Sequence, residues 1–171
     1  MNSKTSLVSI SELTPYLYLS GFGCICEPKI KKLGITHIVD STNMPNPKMF
    51  ADVKYLFVPV DDSDTARIEK YFKETVEFVK EAKDNNQKCL IICGAGVSRS
   101  ATLSIVSLMH IQNISLRNAY LQINAIRPII SPNIGFWRKM IEYETSLNGQ
   151  ATVQLLKGMK KPFPNVYLQK C

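Results

Sequence analysis

The chain has 171 residues, 45% of them hydrophobic, which suffices for one sizeable core in a single domain. Its formal charge of +7 favours anionic partners. The basic residues, among them Lys29, Lys31, Lys32, Lys80, Lys83, Lys139, Lys157, Lys160 and Lys161, lack the aromatic interleaving of a nucleic-acid surface, and no apolar run approaches the roughly 20 residues of a membrane span.

The start, MNSKTSLVSI, lacks the charged-then-apolar layout of a signal peptide, and Met1-Asn2 offers no glycine for myristoylation. Strands are expected over residues 16–19, 35–39, 55–60 and 89–92, from short apolar runs. Cys89-Leu90-Ile91-Ile92 has no polar alternation, so it reads as a strand covered on both faces, in the middle of a sheet. Asn43, Pro45, Asn46 and Pro47 mark a loop over residues 42–48. Apolar residues at three- and four-residue intervals predict helices over 66–82, 100–111, 115–126 and 133–147. Arg127-Pro128 ends the third, and Asn148-Gly149 stops the last. Together these predict an α/β fold, with a central mostly parallel sheet flanked by helices. The domain spans residues 1–149, and residues 150–171 form a tail packed on it or partly loose.

Five cysteines, Cys24, Cys26, Cys89, Cys93 and Cys171, make an odd set with no even disulfide framework, and a reducing compartment, cytoplasm or nucleus, fits best. Cys24-Ile25-Cys26 has the wrong spacing for a zinc knuckle, and neither His37 nor His110 completes a site, so no metal is expected. Both histidines read as ordinary strand and helix residues.

A cysteine six positions before an arginine is weak evidence alone. Here the pair Cys93 and Arg99 joins a buried strand to an amphipathic helix, whose N-terminal amides and partial charge form an anion site. Gly94 and Gly96 let the intervening backbone of Gly94, Ala95, Gly96, Val97 and Ser98 curl around a phosphate without side chains in the way. Arg99 adds a planar fork for two phosphate oxygens. Cys93, at the base of this cradle, would face the phosphorus, and the field that binds phosphate favours the nucleophilic thiolate. No Gly-Lys-Ser/Thr follows the glycines, which excludes a Walker-type nucleotide site. A proton donor on a mobile loop is also needed, and Val58-Pro59-Val60-Asp61-Asp62-Ser63-Asp64 offers three; spacing does not choose among Asp61, Asp62 and Asp64. Ser100, in the first turn of the helix, either stabilises the sulfur as it leaves or is a helix-terminal hydroxyl. Cys89, four residues before Cys93, suggests a protective disulfide or simply strand core.

Cys93-Gly94-Ala95-Gly96-Val97-Ser98-Arg99-Ser100-Ala101 resembles the active-site loop of the dual-specificity protein tyrosine phosphatases. Tyr16-Leu17-Tyr18-Leu19-Ser20, Gly34-Ile35-Thr36-His37-Ile38, Val58-Pro59-Val60-Asp61-Asp62 and Arg127-Pro128-Ile129-Ile130-Ser131-Pro132-Asn133-Ile134-Gly135-Phe136-Trp137 resemble further landmarks in the family's order. Tyr143-Glu144 and the tail through Pro164-Asn165-Val166-Tyr167 are similar to the small atypical subgroup that consists of the catalytic domain only. The resemblance implies Cys93 as nucleophile, Arg99 as phosphate ligand, Asp62 as general acid and later base, Ser100 assisting phospho-cysteine breakdown, and Asn133 bracing the phosphate loop. It also implies a metal-free hydrolase, with no cofactor expected, acting on phosphotyrosine and phosphoserine/threonine. The expected partners are phosphoproteins, kinases among the candidates, and from composition and hydropathy neither nucleic acids nor membranes. The chain departs from the family at Ile92, where a histidine usually precedes the nucleophile. That departure implies weakened activity, or a module that binds phosphoproteins with little turnover.

Overall fold

The computed structural model describes residues 7–170. In chain order they form β1 (Ser11–Thr14), β2 (Leu17–Gly21), α1 (Glu27–Leu33), β3 (Ile35–Asp40), β4 (Lys54–Phe57), α2 (Phe72–Asp84), β5 (Lys88–Cys93), α3 (Arg99–Ile111), α4 (Leu116–Ile126), α5 (Ile134–Asn148), β6 (Leu155–Leu156) and β7 (Phe163–Pro164). The main sheet runs β1-β2-β5-β3-β4, with β1 antiparallel to β2 and the other pairings parallel.

Strand β5 is central because it is apolar on both faces: Cys89, Leu90 and Ile91 are fully buried and Ile92 nearly so. Its alternation divides the core. Cys89 and Ile91, with Leu17, Leu19 and Val39, face the large cluster that includes residues of α2, α3, α4 and α5. Leu90 and Ile92, with Tyr18 and Ile38, face a smaller cluster holding Ile30 of α1 and Phe50. Gly21 registers with Cys93 and Asp40 with Ile92, so the C-terminal ends of three parallel strands coincide. An open α/β sheet places its ligand crevice at such an edge.

Four of these elements have no counterpart in the sequence reading: β6 and β7, which lie in the segment read as a tail, and β1 and α1. β1 has only four residues, and α1 only seven, too few to show a period. Signals for α1 exist nonetheless in Pro28 in the first turn and in Gly34, which caps the helix at φ 70°. The strand expected through residue 60 ends at Phe57: Val58 N–H still donates to Asp40 O at 2.9 Å, but Pro59 has no N–H to continue the ladder. The helix expected over 66–82 is split into a 3-10 turn, Ile68–Tyr71, and α2. In that tighter turn residues three apart eclipse, which sets Ile68 and Tyr71 together against the core.

Residues beyond α5 are tied down at named points. Val153 and Val166 are fully buried, β6 and β7 pair as a short hairpin, and Trp137 Nε1 donates to Tyr167 Oη at 3.0 Å. The pivot is Glu144, a fully buried carboxylate on α5 that accepts from Leu116 N–H at 2.8 Å, Thr152 N–H at 2.7 Å and the Thr152 hydroxyl. Among the described residues no helix is long and apolar enough to cross a membrane.

Replacing Glu144→Ala leaves those amides buried without acceptors. It should cost about 3 kcal/mol of stability in urea unfolding, with the segment after residue 150 losing hydrogen-exchange protection.

Candidate active site

The site is built on the turn from β5 into α3. Cys93 ends the strand at 2% exposure, and Arg99 opens the helix. What shapes the turn is the destination of its carbonyls. Gly94 O accepts from Phe22 N–H at 3.2 Å, Gly96 O from Arg127 Nε at 2.9 Å, and Val97 O from Ser131 N–H at 2.9 Å. Ala95 O faces Arg127 Nη2 at 3.4 Å. In a trans peptide each carbonyl opposes the next residue's N–H. Anchoring the carbonyls of Gly94, Ala95, Gly96 and Val97 to the body therefore turns the amides of Ala95, Gly96, Val97 and Ser98 to the other side. Gly96 N–H points at Cys93 Sγ, 3.2 Å away.

Gly96 has φ 71°, and a Cβ there would meet Gly21 N and Ser20 C at 2.6 Å and Arg127 Nη2 at 2.7 Å. Gly21 is needed for the reciprocal reason, since a Cβ on it would lie 2.9 Å from Ala95 C. Cys93 Sγ also shares a 3.1 Å hydrogen bond with the hydroxyl of Ser100, which is fully buried.

Arg99 is steered by backbone. Its Nη1 donates to Thr42 O and to Val60 O, both at 3.0 Å, while its buried Nε has no partner among the described residues. Thr42 is in turn fixed by the buried carboxylate of Asp40, which accepts from Thr42 N–H at 2.8 Å and from its hydroxyl at 2.6 Å. The guanidinium is thus gripped at one nitrogen, and Nη2 passes 3.4 Å from where a Cβ on Gly94 would stand.

The three aspartates left open by spacing separate in space. Asp61 accepts from Asn43 Nδ2 at 2.9 Å, away from the turn. The backbone of Asp64 packs on the first turn of α5, where a Cβ on Gly135 would come within 2.0 Å of Asp64 O. Asp62 faces the turn: its Oδ1 accepts from the Ser98 hydroxyl at 2.7 Å and from Asn133 Nδ2 at 2.8 Å. Asn133 N–H donates to Ser98 Oγ at 3.0 Å, and Asn133 Oδ1 caps α5 by accepting from Phe136 N–H. Asn133 therefore links the aspartate, the turn and α5, a wider role than a brace for the turn alone.

The family model described as dual specificity phosphatase, catalytic domain, matches residues 17–146. The chain belongs to the dual specificity phosphatase family. Dual specificity protein phosphatase 14 from Bos taurus is 37% identical over 170 residues, covering 98% of this chain and 85% of the relative. The crystal structure of DUSP15 matches with a TM-score of 0.75 and 32% identity, covering 79% of this chain and 86% of that one. A human tyrosine phosphatase-like serine/threonine/tyrosine-interacting protein matches with a TM-score of 0.75 and 29% identity, covering 81% and 97%.

Within this dual specificity phosphatase the sequence reading missed Arg127, taken only as a helix end. It is a fully buried cation whose Nη1 also donates to Ser9 O at 3.0 Å and to Ser11 Oγ at 3.1 Å. Burial lowers its pKa from the ordinary arginine value. The one signal available was an arginine beside a proline at a helix end, which says nothing about burial. The disulfide between Cys89 and Cys93 is overturned: four residues along an extended strand set the two about 13 Å apart, twice what a disulfide spans. Cys89 is core, fully buried, with its thiol pushed far up by desolvation. Among the described residues, no group of three or more His, Cys, Asp or Glu could hold a metal ion.

Arg127→Met keeps volume but frees several buried acceptors. It should cost roughly 2–3 kcal/mol in chemical unfolding, and vanadate affinity should fall more than in a surface control such as Lys73→Met.

Proposed function

We propose that this protein hydrolyses phosphotyrosine and phosphoserine/threonine in proteins through a phospho-cysteine intermediate. The observation that carries this reading is the set of loop amides turned onto the Cys93 side, with Arg99 gripped at Nη1 and its Nε free to meet an oxyanion. In the first step the Cys93 thiolate attacks phosphorus, and the phosphate oxygens lie against the amides of Gly94 to Arg99 and the Arg99 guanidinium. The bond to the leaving oxygen breaks as Asp62 donates a proton to that oxygen. Ser98 and Asn133 both bind Oδ1 of Asp62, which leaves Oδ2 to hold the proton. In the second step Asp62, now a carboxylate, takes a proton from water as the water oxygen attacks phosphorus. The S–P bond breaks and inorganic phosphate is released. The Ser100 hydroxyl, 3.1 Å from the sulfur, stabilises the departing thiolate.

A second reading, a phosphoprotein-binding module with little turnover, is favoured by Ile92 and by the likeness to a protein titled phosphatase-like and interacting. Ile92 lies in the smaller apolar cluster, and its carbonyl accepts from Ser41 N–H at 2.9 Å and Ser41 Oγ at 2.6 Å, so the strand end is held through backbone. Its registered neighbours, Ser20 on β2 and Asp40 on β3, project to the same sheet face. The Ser20 hydroxyl is buried without a partner among the described residues.

Hydrolysis of a small aryl phosphate should fall to baseline in Cys93→Ser while vanadate or phosphopeptide binding persists. Asp62→Asn should lower kcat roughly 100- to 1,000-fold with little change in KM, and by less for substrates with acidic leaving groups. Ile92→His sets an imidazole beside the Ser20 hydroxyl and the Asp40 carboxylate, and should raise kcat several-fold. Tight phosphopeptide binding by the unmutated chain, with negligible turnover that Ile92→His does not raise, would establish the second reading instead.

A further inference from the structure

A groove of about 390 Å³ connects the phosphate turn to the C-terminal hairpin. Asp62, Val97 and Ser98 line it on the turn side, and Lys161, Phe163 and Tyr167 on the hairpin side. The groove is therefore continuous with the turn that the proposed reaction uses, and any polypeptide lying along it passes the hairpin.

The connection between β6 and β7, residues 157–162, carries Lys157, Lys160 and Lys161, all exposed. None has an ion-pair partner among the described residues, which is also true of Lys29, Lys32, Lys48, Lys70 and Lys88, whereas Lys31, Lys54, Lys73, Lys80 and Lys139 are each paired with a carboxylate. Lys157, Lys160 and Lys161 differ from the other unpaired lysines in being grouped on one short connection, with Lys161 lining the groove. The connection does not dangle. It closes over Gly158, where a Cβ would meet Lys161 O at 2.2 Å and the Phe163 ring at 3.2 Å. Its base is held by Pro164, which is buried, and by Asn165 N–H donating to Gln154 O at 2.8 Å. The opposite end of the groove is acidic, with Asp62 and Asp64. Asp62 is the proton donor of the proposed reaction, so it is Asp64 that repels an anionic side chain directly beside the phosphorylated residue, whereas one further along meets the lysines.

We propose that the hairpin lysines, Lys161 foremost, select phosphoprotein segments with an acidic side chain a few residues from the phosphorylated one. This rests on the phosphatase reading of the adjoining turn and deepens it by naming the substrate class.

The test is kcat/KM for phosphopeptides that differ only in carrying Glu or Gln at one to four residues on either side of the phosphoresidue. The unmutated protein and the Lys157→Ala/Lys160→Ala/Lys161→Ala variant are compared, with a small aryl phosphate as the control. The unmutated protein should favour Glu roughly fivefold, on one side only and beyond the adjacent position, with the preference shrinking as salt rises. The triple variant should lose that preference and keep its rate on the aryl phosphate. An equal preference in both proteins, or none in either, overturns the proposal. So does loss of binding to anionic vesicles in the triple variant without any peptide preference, which would assign the lysines to a membrane surface. If the unmutated protein hydrolyses nothing, the catalytic reading has failed separately, and the same peptides are compared by affinity for both proteins.

Discussion

The structure depends on a constraint on carbonyls more than on any side chain of the turn itself. Backbone amides collect an anion only if their carbonyls are disposed of elsewhere, because the peptide unit points its two dipolar ends in opposite directions. This fold disposes of them through Phe22 N–H, Ser131 N–H and the guanidinium of Arg127. Arg127 is the unusual partner, an enclosed cation that, among the described residues, pairs with no carboxylate and is satisfied by carbonyls and a hydroxyl. Such a group is costly to bury and is retained where its geometry is required. Its positive charge also lies behind the same turn that presents amides to the front.

The second layer of organisation follows the sheet. Because β5 is flanked by β2 and β3 in parallel register, the residues just past three strand ends meet at one place. Gly21 lets the turn pass closely over β2. Asp40 and Ser41, at the end of β3, hold Thr42 and the carbonyl of Ile92. Through Thr42 O that anchoring reaches Arg99. The loop after β4 supplies Val60 O to the same guanidinium and, two residues on, Asp62 to the rim. The acid, the arginine and the turn are thereby coupled through short backbone bridges, which limits how far one can shift without the others.

Ile92 shows how a core position and a site position coincide. As a strand residue it belongs to the smaller apolar cluster, and the isoleucine is well suited to that. As the residue before Cys93 it occupies the place from which an imidazole would address Ser20 and Asp40. Both flanks are polar, and the place between them holds an apolar side chain.

The amino-acid sequence by itself determined the α/β class, the central buried strand, the helices of ordinary length and the turn from Cys93 to Arg99, because each rests on local periodicity or on glycines and a helix N-terminus adjacent in the chain. Element ends drifted where a proline or a tighter helical turn intervened, as at Pro59 and Ile68–Tyr71, and elements too short for a period escaped notice. Only the tertiary structure decided which aspartate faces the turn on geometric grounds, that Arg127 orients its carbonyls, and that Lys161, Phe163 and Tyr167 form a wall beside the site. Those facts depend on contacts between residues 30 to 118 positions apart, and a spacing along the chain carries no information about a distance across the fold.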